Sequence, residues 1–237
     1  MKDFKDKIIS FSLYNHPSKA GDLTYYIGAE KNLKLNNRFL PDWKTVIYYH
    51  KDRIDEEWVP KLADLGACMI EVSENERLKG ELSTMQDMMW RLLSIYEENV
   101  CIIRDLDSRM TQREANYIND WLNSECKYFI IRDHPWHASV PGGLFGIKGA
   151  DKKLEDHISD FLKNNELVWG SDQEMLALYR ENNIDDKDLY YCGYDDQKNY
   201  IPRDDKGFFI GVQVDENDKI TKENSILALE MLEEMNL

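Results

Sequence analysis

Val100-Cys101-Ile102-Ile103-Arg104-Asp105-Leu106-Asp107-Ser108-Arg109 is the stretch on which the reading of this chain turns. Its first four residues are apolar and mostly β-branched, the mark of a buried strand, and the run ends in two carboxylates one residue apart. In extended backbone residues i and i+2 point to one face, so Asp105 and Asp107 converge at the strand's carboxyl end. Converging carboxylates repel unless a cation lies between them. Mg²⁺ and Mn²⁺ suit such a pair, because they prefer oxygen and hold substrate phosphates there. The competing reading is a surface turn whose acids cap the next helix.

Upstream, Lys7–Leu13 (KIISFSL), Lys44–His50 (KTVIYYH) and Ala67–Val72 (ACMIEV) read as strands. Helices are expected over Asp22–Phe39, Glu56–Leu65 and Ser83–Glu97. Pro41 stops the first, Gly66 fits as the C′ residue of the second, and Ser83 as the N-cap of the third. Downstream, Thr111-Gln112-Arg113-Glu114 is a capping-box pattern that opens a helix to about Ser124. Lys127–Arg132 (KYFIIR) reads as a strand ending in Asp133-His134-Pro135, and Gly142–Ile147 as a short one flanked by glycine. Helices follow over Lys152–Lys163 and Asp172–Glu181, and Asn182–Asp205 is loop-like. Phe208–Val214 (FFIGVQV) reads as a late strand and Glu223–Glu234 as a terminal amphipathic helix.

This alternation predicts an α/β fold with a mainly parallel sheet flanked by helices. Ligands of such sheets collect outside the strands' carboxyl ends, where Asp105, Asp107, Asp133 and His134 all fall.

At 237 residues the chain suits one large α/β domain, and its 42% apolar content excludes wholesale disorder. With 30 basic against 45 acidic residues the net charge is −15, which repels nucleic acid and anionic membrane. Binding a phosphorylated small molecule then needs a local remedy: a metal ion, a few placed arginines or helix N-termini. Cys68, Cys101, Cys126 and Cys192 are scattered, as reduced thiols of a cytoplasmic protein would be. No stretch approaches the ~20 apolar residues of a transmembrane segment.

Four segments together resemble nucleotide-sugar glycosyltransferases of the GT-A fold: Ile9–Asn15 (ISFSLYN), Met88–Leu93 (MMWRLL), Arg104–Glu114 (RDLDSRMTQRE) and Ile131–Gly146 (IRDHPWH…GGLFG). Leu40–Lys44 (LPDWK) lies between the first two, and the resemblance runs from about Lys7 to Val214. It implies one GT-A-like domain over 1–237, with a nucleotide-binding half at about 1–110 and an acceptor half at about 111–237. The implied activity is metal-dependent transfer of a sugar from a nucleotide diphosphate sugar, by family habit a UDP-sugar, to a carbohydrate acceptor hydroxyl.

By the same resemblance Phe11, Ser12, Leu13 and Tyr14 would hold the base and ribose, and Asp105 and Asp107 would bind Mn²⁺ or Mg²⁺ against the diphosphate. Gly142 and Gly143 would lie beside the donor sugar, and Gly170-Ser171-Asp172-Gln173 would face the donor–acceptor junction. One departure stands out. Many of these enzymes use a late histidine as a third metal ligand, and this chain has no histidine after His157.

Other residues carry two readings each. Arg91 offers a planar fork to phosphate, or a salt bridge on an acidic surface. Arg104 and Arg109 flank the acids, and one of them is a candidate to orient a carboxylate. Asp133 and His134, with His137 behind them, suit proton transfer or hydroxyl recognition, or a structural turn around Pro135. Asp172 is a candidate base or nucleophile, or a neighbour of a helix N-cap. Trp136, Trp169, Tyr190, Tyr191 and Tyr194 suit sugar faces, or plain core packing.

Rival classes share these features: a sugar-nucleotidyltransferase would share the fold, but should open with a glycine-rich phosphate loop, which Lys7–Asn15 lacks. A haloacid-dehalogenase-type phosphatase also ends an apolar strand in D-x-D, but near the chain start and without Arg104 and Arg109 around the acids. A non-catalytic carbohydrate-binding protein would have little need of the acid pair.

Overall fold

A computed structural model of the chain describes residues 5–15, 22–134, 137–193 and 209–220. Its centre is a seven-stranded sheet built from β1 (Lys7–Leu13), β2 (Lys44–Tyr49), β3 (Cys68–Glu71), β4 (Val100–Arg104), β5 (Tyr128–Arg132), β6 (Leu144–Lys148) and β7 (Leu189–Gly193). The strand order is β3-β2-β1-β4-β6-β5-β7. Every pairing is parallel except those of β6, which runs antiparallel to both β4 and β5. The expected α/β architecture, a mainly parallel sheet between helices, is the observed one.

The strands are apolar almost without break because both faces are covered. Ile9, Phe11, Val100 and Ile102 join one core with α1 (Thr24–Phe39), α2 (Trp58–Asp64) and α4 (Gln112–Asn123). Ile8, Cys101 and Ile103 point the other way, into a core with the 3₁₀ segment Asp87–Tyr96 and two later helices. These are α5 (Lys152–Asn164) and α6 (Ser171–Asn183); a single turn, α3 (Glu76–Lys79), precedes the 3₁₀ segment.

Thr111 caps α4 as its pattern predicts, its hydroxyl accepting the Glu114 N–H at 3.1 Å. Gly66 follows α2 at φ +99°, as a C′ glycine should.

Three expectations change. Ser83–Glu97 is not an α-helix capped by Ser83; the regular part is the 3₁₀ segment, preceded by Gln86. Every residue from Met89 to Ile95 is buried, and backbone groups bond to strand side chains: Ser10 donates to the Arg91 carbonyl at 2.7 Å and Ser12 to that of Met88 at 3.2 Å. Within Asn182–Asp205, read as a loop, Leu189–Gly193 is the sheet strand β7. Residues 209–214 form no sheet strand; Val214 makes only an isolated bridge to Ile220. The Glu223–Glu234 helix, Pro135, Trp136 and Tyr194 lie outside the described residues.

One buried carboxylate joins the sheet to the helix that reaches the site. Asp151 caps α5 through the Lys153 N–H at 3.0 Å and accepts the hydroxyls of Tyr128 on β5 and of Tyr179 on α6, the latter at 2.9 Å. Burial pushes its pKa up, but the two tyrosines and Lys127 outweigh this and hold it below the ordinary carboxylate value. A depressed folded pKa stabilises the fold above the unfolded pKa, and that contribution is lost as pH falls through the folded value. Asp151→Asn should therefore cost about 2 kcal/mol at pH 7 in urea denaturation. The gap between wild type and variant should close below about pH 4; a gap independent of pH would show that charge plays no part in this joint.

Candidate active site

The loop after β4 is clamped from α1. A Cβ on Gly28 would run into the Leu106 carbonyl, so only glycine lets the helix approach this closely. One turn on, Asn32 donates to the Ser108 carbonyl at 2.8 Å and accepts the Met110 N–H at 3.1 Å. The acid pair is thus fixed to the scaffold on both sides of Asp107.

Asp105 and Asp107 line a cleft of about 330 Å³ together with Tyr14, Arg91, Gly142, Asp172 and Gln173. Arg91 organises it. One amino group donates to Asp105 and the other to Asp172 Oδ2 at 2.7 Å. Burial opposes its charge, but Asp105 and Asp172 outweigh that and hold the guanidinium protonated. The fork read as a candidate for phosphate faces two carboxylates here. Both ends are committed to carboxylates, in a buried ion-pair chain rather than a surface salt bridge.

Of Phe11, Ser12, Leu13 and Tyr14, expected at the base and ribose, only Tyr14, the residue just past β1, lines the cleft. Phe11 and Leu13 are core, and Ser12 is buried beneath Arg91, its hydroxyl accepting the Arg91 N–H at 2.8 Å. The alternation that points Asp105 and Asp107 one way points Phe11 and Leu13 into the α1 side of the sheet. Tyr14 packs edge-on against Tyr25 with ring centroids 5.3 Å apart. Burial pushes the Tyr14 phenol to about 12 and raises that of Tyr25 as well, so both are neutral donors.

Arg104 also moves out of the site. It is 1% exposed, its Nε 2.9 Å from Glu114 Oε1 and its Nη1 donating to the Gly143 carbonyl at 3.1 Å. Arg109 turns outward to Asp218 at 2.9 Å and to the carbonyl of Leu106 at 2.9 Å. Both brace the chain around the acids.

Asp133 does not line the cleft. It binds both amino groups of Arg113, at 3.3 and 2.6 Å, and accepts the Ile210 N–H at 2.7 Å. These bonds brace the chain, and they place the Asp133 carboxylate apart from the acid pair and Asp172. His134 lines the cleft but is nearly inaccessible, its ring 4.5 Å from that of Phe209. His137 lines it too; burial and the neighbouring His134 lower its pKa to about 3, so it is neutral.

The two glycines leave room for the acids. A Cβ on Gly143 would fall on the Asp105 carboxylate; one on Gly142 would sit 2.9 Å from Asp172 Cγ and 3.1 Å from Arg91 Nη2. Asp172 enters at the start of α6, where Gly170 holds φ +87°, and its Oδ1 accepts the Gln173 N–H at 2.9 Å.

The segment 209–214 supplies wall residues that the strand reading of this stretch does not single out. Phe209, Gly211 and Gln213 line the cleft while Ile210 and Val214 are buried, which is period-two alternation without strand pairing. Gly211 at φ +85° breaks the extended course, and the segment hangs on Asp133 and on the Asp107 carbonyl, which accepts the Val214 N–H at 2.7 Å. Gln213 donates to Asp107 Oδ2.

The acid pair fits a divalent ion. Burial, and next the charge of Asp105, push Asp107 up to about 6, a repulsion that a cation would relieve. Asp105 keeps 43% of its side chain exposed for coordination. Among the described residues no group of three or more His, Cys, Asp or Glu gathers around a common point. Two carboxylates suffice for Mg²⁺, which keeps several waters and takes the rest of its shell from substrate phosphate.

No helix among the described residues is long and apolar enough to cross a membrane. No family model matches the chain, and no curated protein does. Among solved structures, 4-diphosphocytidyl-2C-methyl-D-erythritol synthase from Anaerococcus prevotii is 12% identical, with a TM-score of 0.42 over 84% of this chain and 91% of its own. A Bacillus anthracis protein assigned as a glucose-1-phosphate thymidylyltransferase, solved with sucrose, is 11% identical, with a TM-score of 0.42 over 80% of this chain and 87% of its own. At that distance the chemistry of the cleft rests on its own residues.

Proposed function

We propose that the protein is a metal-dependent glycosyltransferase that moves a sugar from a nucleotide diphosphate donor, UDP-linked in the first instance, to a carbohydrate hydroxyl. The observation that carries this reading is the Arg91 bridge, which ties the acid pair after β4 to Asp172 at the start of α6 across one cleft. A site that breaks a glycosyl–phosphate bond needs two such poles, one for the leaving diphosphate and one for the sugar.

Asp105 and Asp107 would hold the divalent ion, which when bound supplies Lewis-acid stabilisation to the departing diphosphate. Tyr14 flanks the nucleoside at the end of β1. The Asp172 carboxylate is aimed at the sugar because both oxygens are already fixed, one by Arg91 and one by its own helix. A fixed carboxylate there favours positive charge developing on the reacting carbon. Arg91 positions both acids without touching substrate.

The test is UDP release from a panel of UDP-sugars with Mn²⁺. Wild type should turn over at least one of them. Asp172→Asn should lower kcat by on the order of 100-fold while donor KM changes about threefold or less. Turnover of generic phosphoesters that is lost in Asp105→Asn would instead establish the phosphatase class.

A further inference from the structure

Trp169 and Val168 are the most exposed large apolar side chains among the described residues, at 65% and 58%. Their backbone, by contrast, is fixed. The Val168 N–H donates to Ser171 Oγ at 2.8 Å and the Ser171 N–H returns to the Val168 carbonyl at 3.1 Å. Gln86 Nε2 holds the Leu167 carbonyl at 2.7 Å, and Ser171 is buried beneath the turn. The indole thus rides on a rigid mount three residues before Asp172, and it lines the same cleft.

A rigidly mounted, exposed aromatic loses little entropy on binding, which is the economy of a recognition surface. Its flat face matches the C–H face of a pyranose. Glu166, Asp172 and Glu174 near it in sequence, in a chain of net charge −15, disfavour an anionic occupant. That leaves a neutral polyhydroxyl ring or a cation. Continuity with the cleft that carries Asp172 favours the ring.

We infer that Trp169 is the stacking platform of an acceptor subsite at the mouth of the cleft, and that its ligand is a neutral pyranoside. The inference rests on the glycosyl-transfer reading for the word acceptor, but the platform itself can be tested alone.

Saturation-transfer NMR on the full chain, with methyl glucosides, galactosides and mannosides and with maltose, cellobiose and lactose as probes, should show at least one binding to wild type. Trp169→Ala should weaken that sugar about tenfold and Trp169→Phe far less. Calorimetry with Mg²⁺ and UDP should give the same affinity for all three proteins within about twofold. Equal saturation in Trp169→Ala, no binding by any sugar, or Trp169-dependent binding of tetramethylammonium alone would each overturn the platform. Sugar binding lost in Trp169→Ala from a protein that binds no UDP would uphold the platform and sink the donor reading instead.

Discussion

Asp105→Asn combined with Asp107→Asn should weaken Mn²⁺-dependent UDP binding in calorimetry by at least about 100-fold, since loss of supporting groups around a metal alone costs ~10- to 100-fold. The Asp107 half of the change should not cost the fold. Asp107 is buried with its pKa pushed up to about 6 by burial and by Asp105, so at pH 7.5 its charge works against the native state. An amide in its place ends that repulsion and still offers an oxygen to Gln213. Asp107→Asn alone should hold or raise the melting temperature, whereas Asp105→Asn takes a carboxylate from the buried Arg91 and should lower it. A double variant that binds UDP and Mn²⁺ like wild type would remove the acid pair from the mechanism.

The second large effect lies behind the site. Arg104 and Glu114 are each 1% exposed and meet through Nε and Oε1 at 2.9 Å, off the N–H axis, so the pair is held by charge more than by an aligned hydrogen bond. Burial raises the Glu114 pKa while Arg104 pulls it down. Glu114→Leu strands a guanidinium in the core and should cost about 3–5 kcal/mol in urea denaturation. Adding Arg104→Met should restore most of it, because two apolar side chains satisfy each other where one charge cannot. The restored protein still lacks the Arg104 bond to the Gly143 carbonyl, so Asp105 loses its backstop and divalent-ion affinity should stay low. A loss below about 1 kcal/mol for Glu114→Leu would mean that water reaches the pair.

Much of this arrangement could be read from the chain because its signals are local. A β-branched run, a D-x-D after it and a capping box each act within a few residues, and β4, the acid pair and α4 appear where these place them. What the residues conceal depends on distant partners. Nothing near Arg91 says that its fork is taken by Asp105 and Asp172, the latter 81 positions away. Gly142 and Gly143 carry no mark of whether the space they leave belongs to a sugar or to a carboxylate. Asp133 looks like the cleft acids in composition and differs in being claimed by Arg113 and the Ile210 N–H. β7 hides for another reason. It is an edge strand with a mixed burial pattern among charged residues, so neither alternation nor a long apolar run announces it. Phe209, Gly211 and Gln213 show the reverse, a true alternation whose inward face is the cleft wall.

The single reversed strand has a consequence for how such a site can change. A parallel strand meets the ligand-bearing rim only as it leaves the sheet, whereas β6 meets that rim as it enters. The residues just ahead of it, Pro141 and Gly142, therefore stand beside those just after β4, although 36 positions separate Asp105 from Pro141. The span between them travels out through α4 and β5 and comes home to the same point, so its length can drift without moving either end. In such a layout the cleft residues and the intervening chain are free to evolve at different rates.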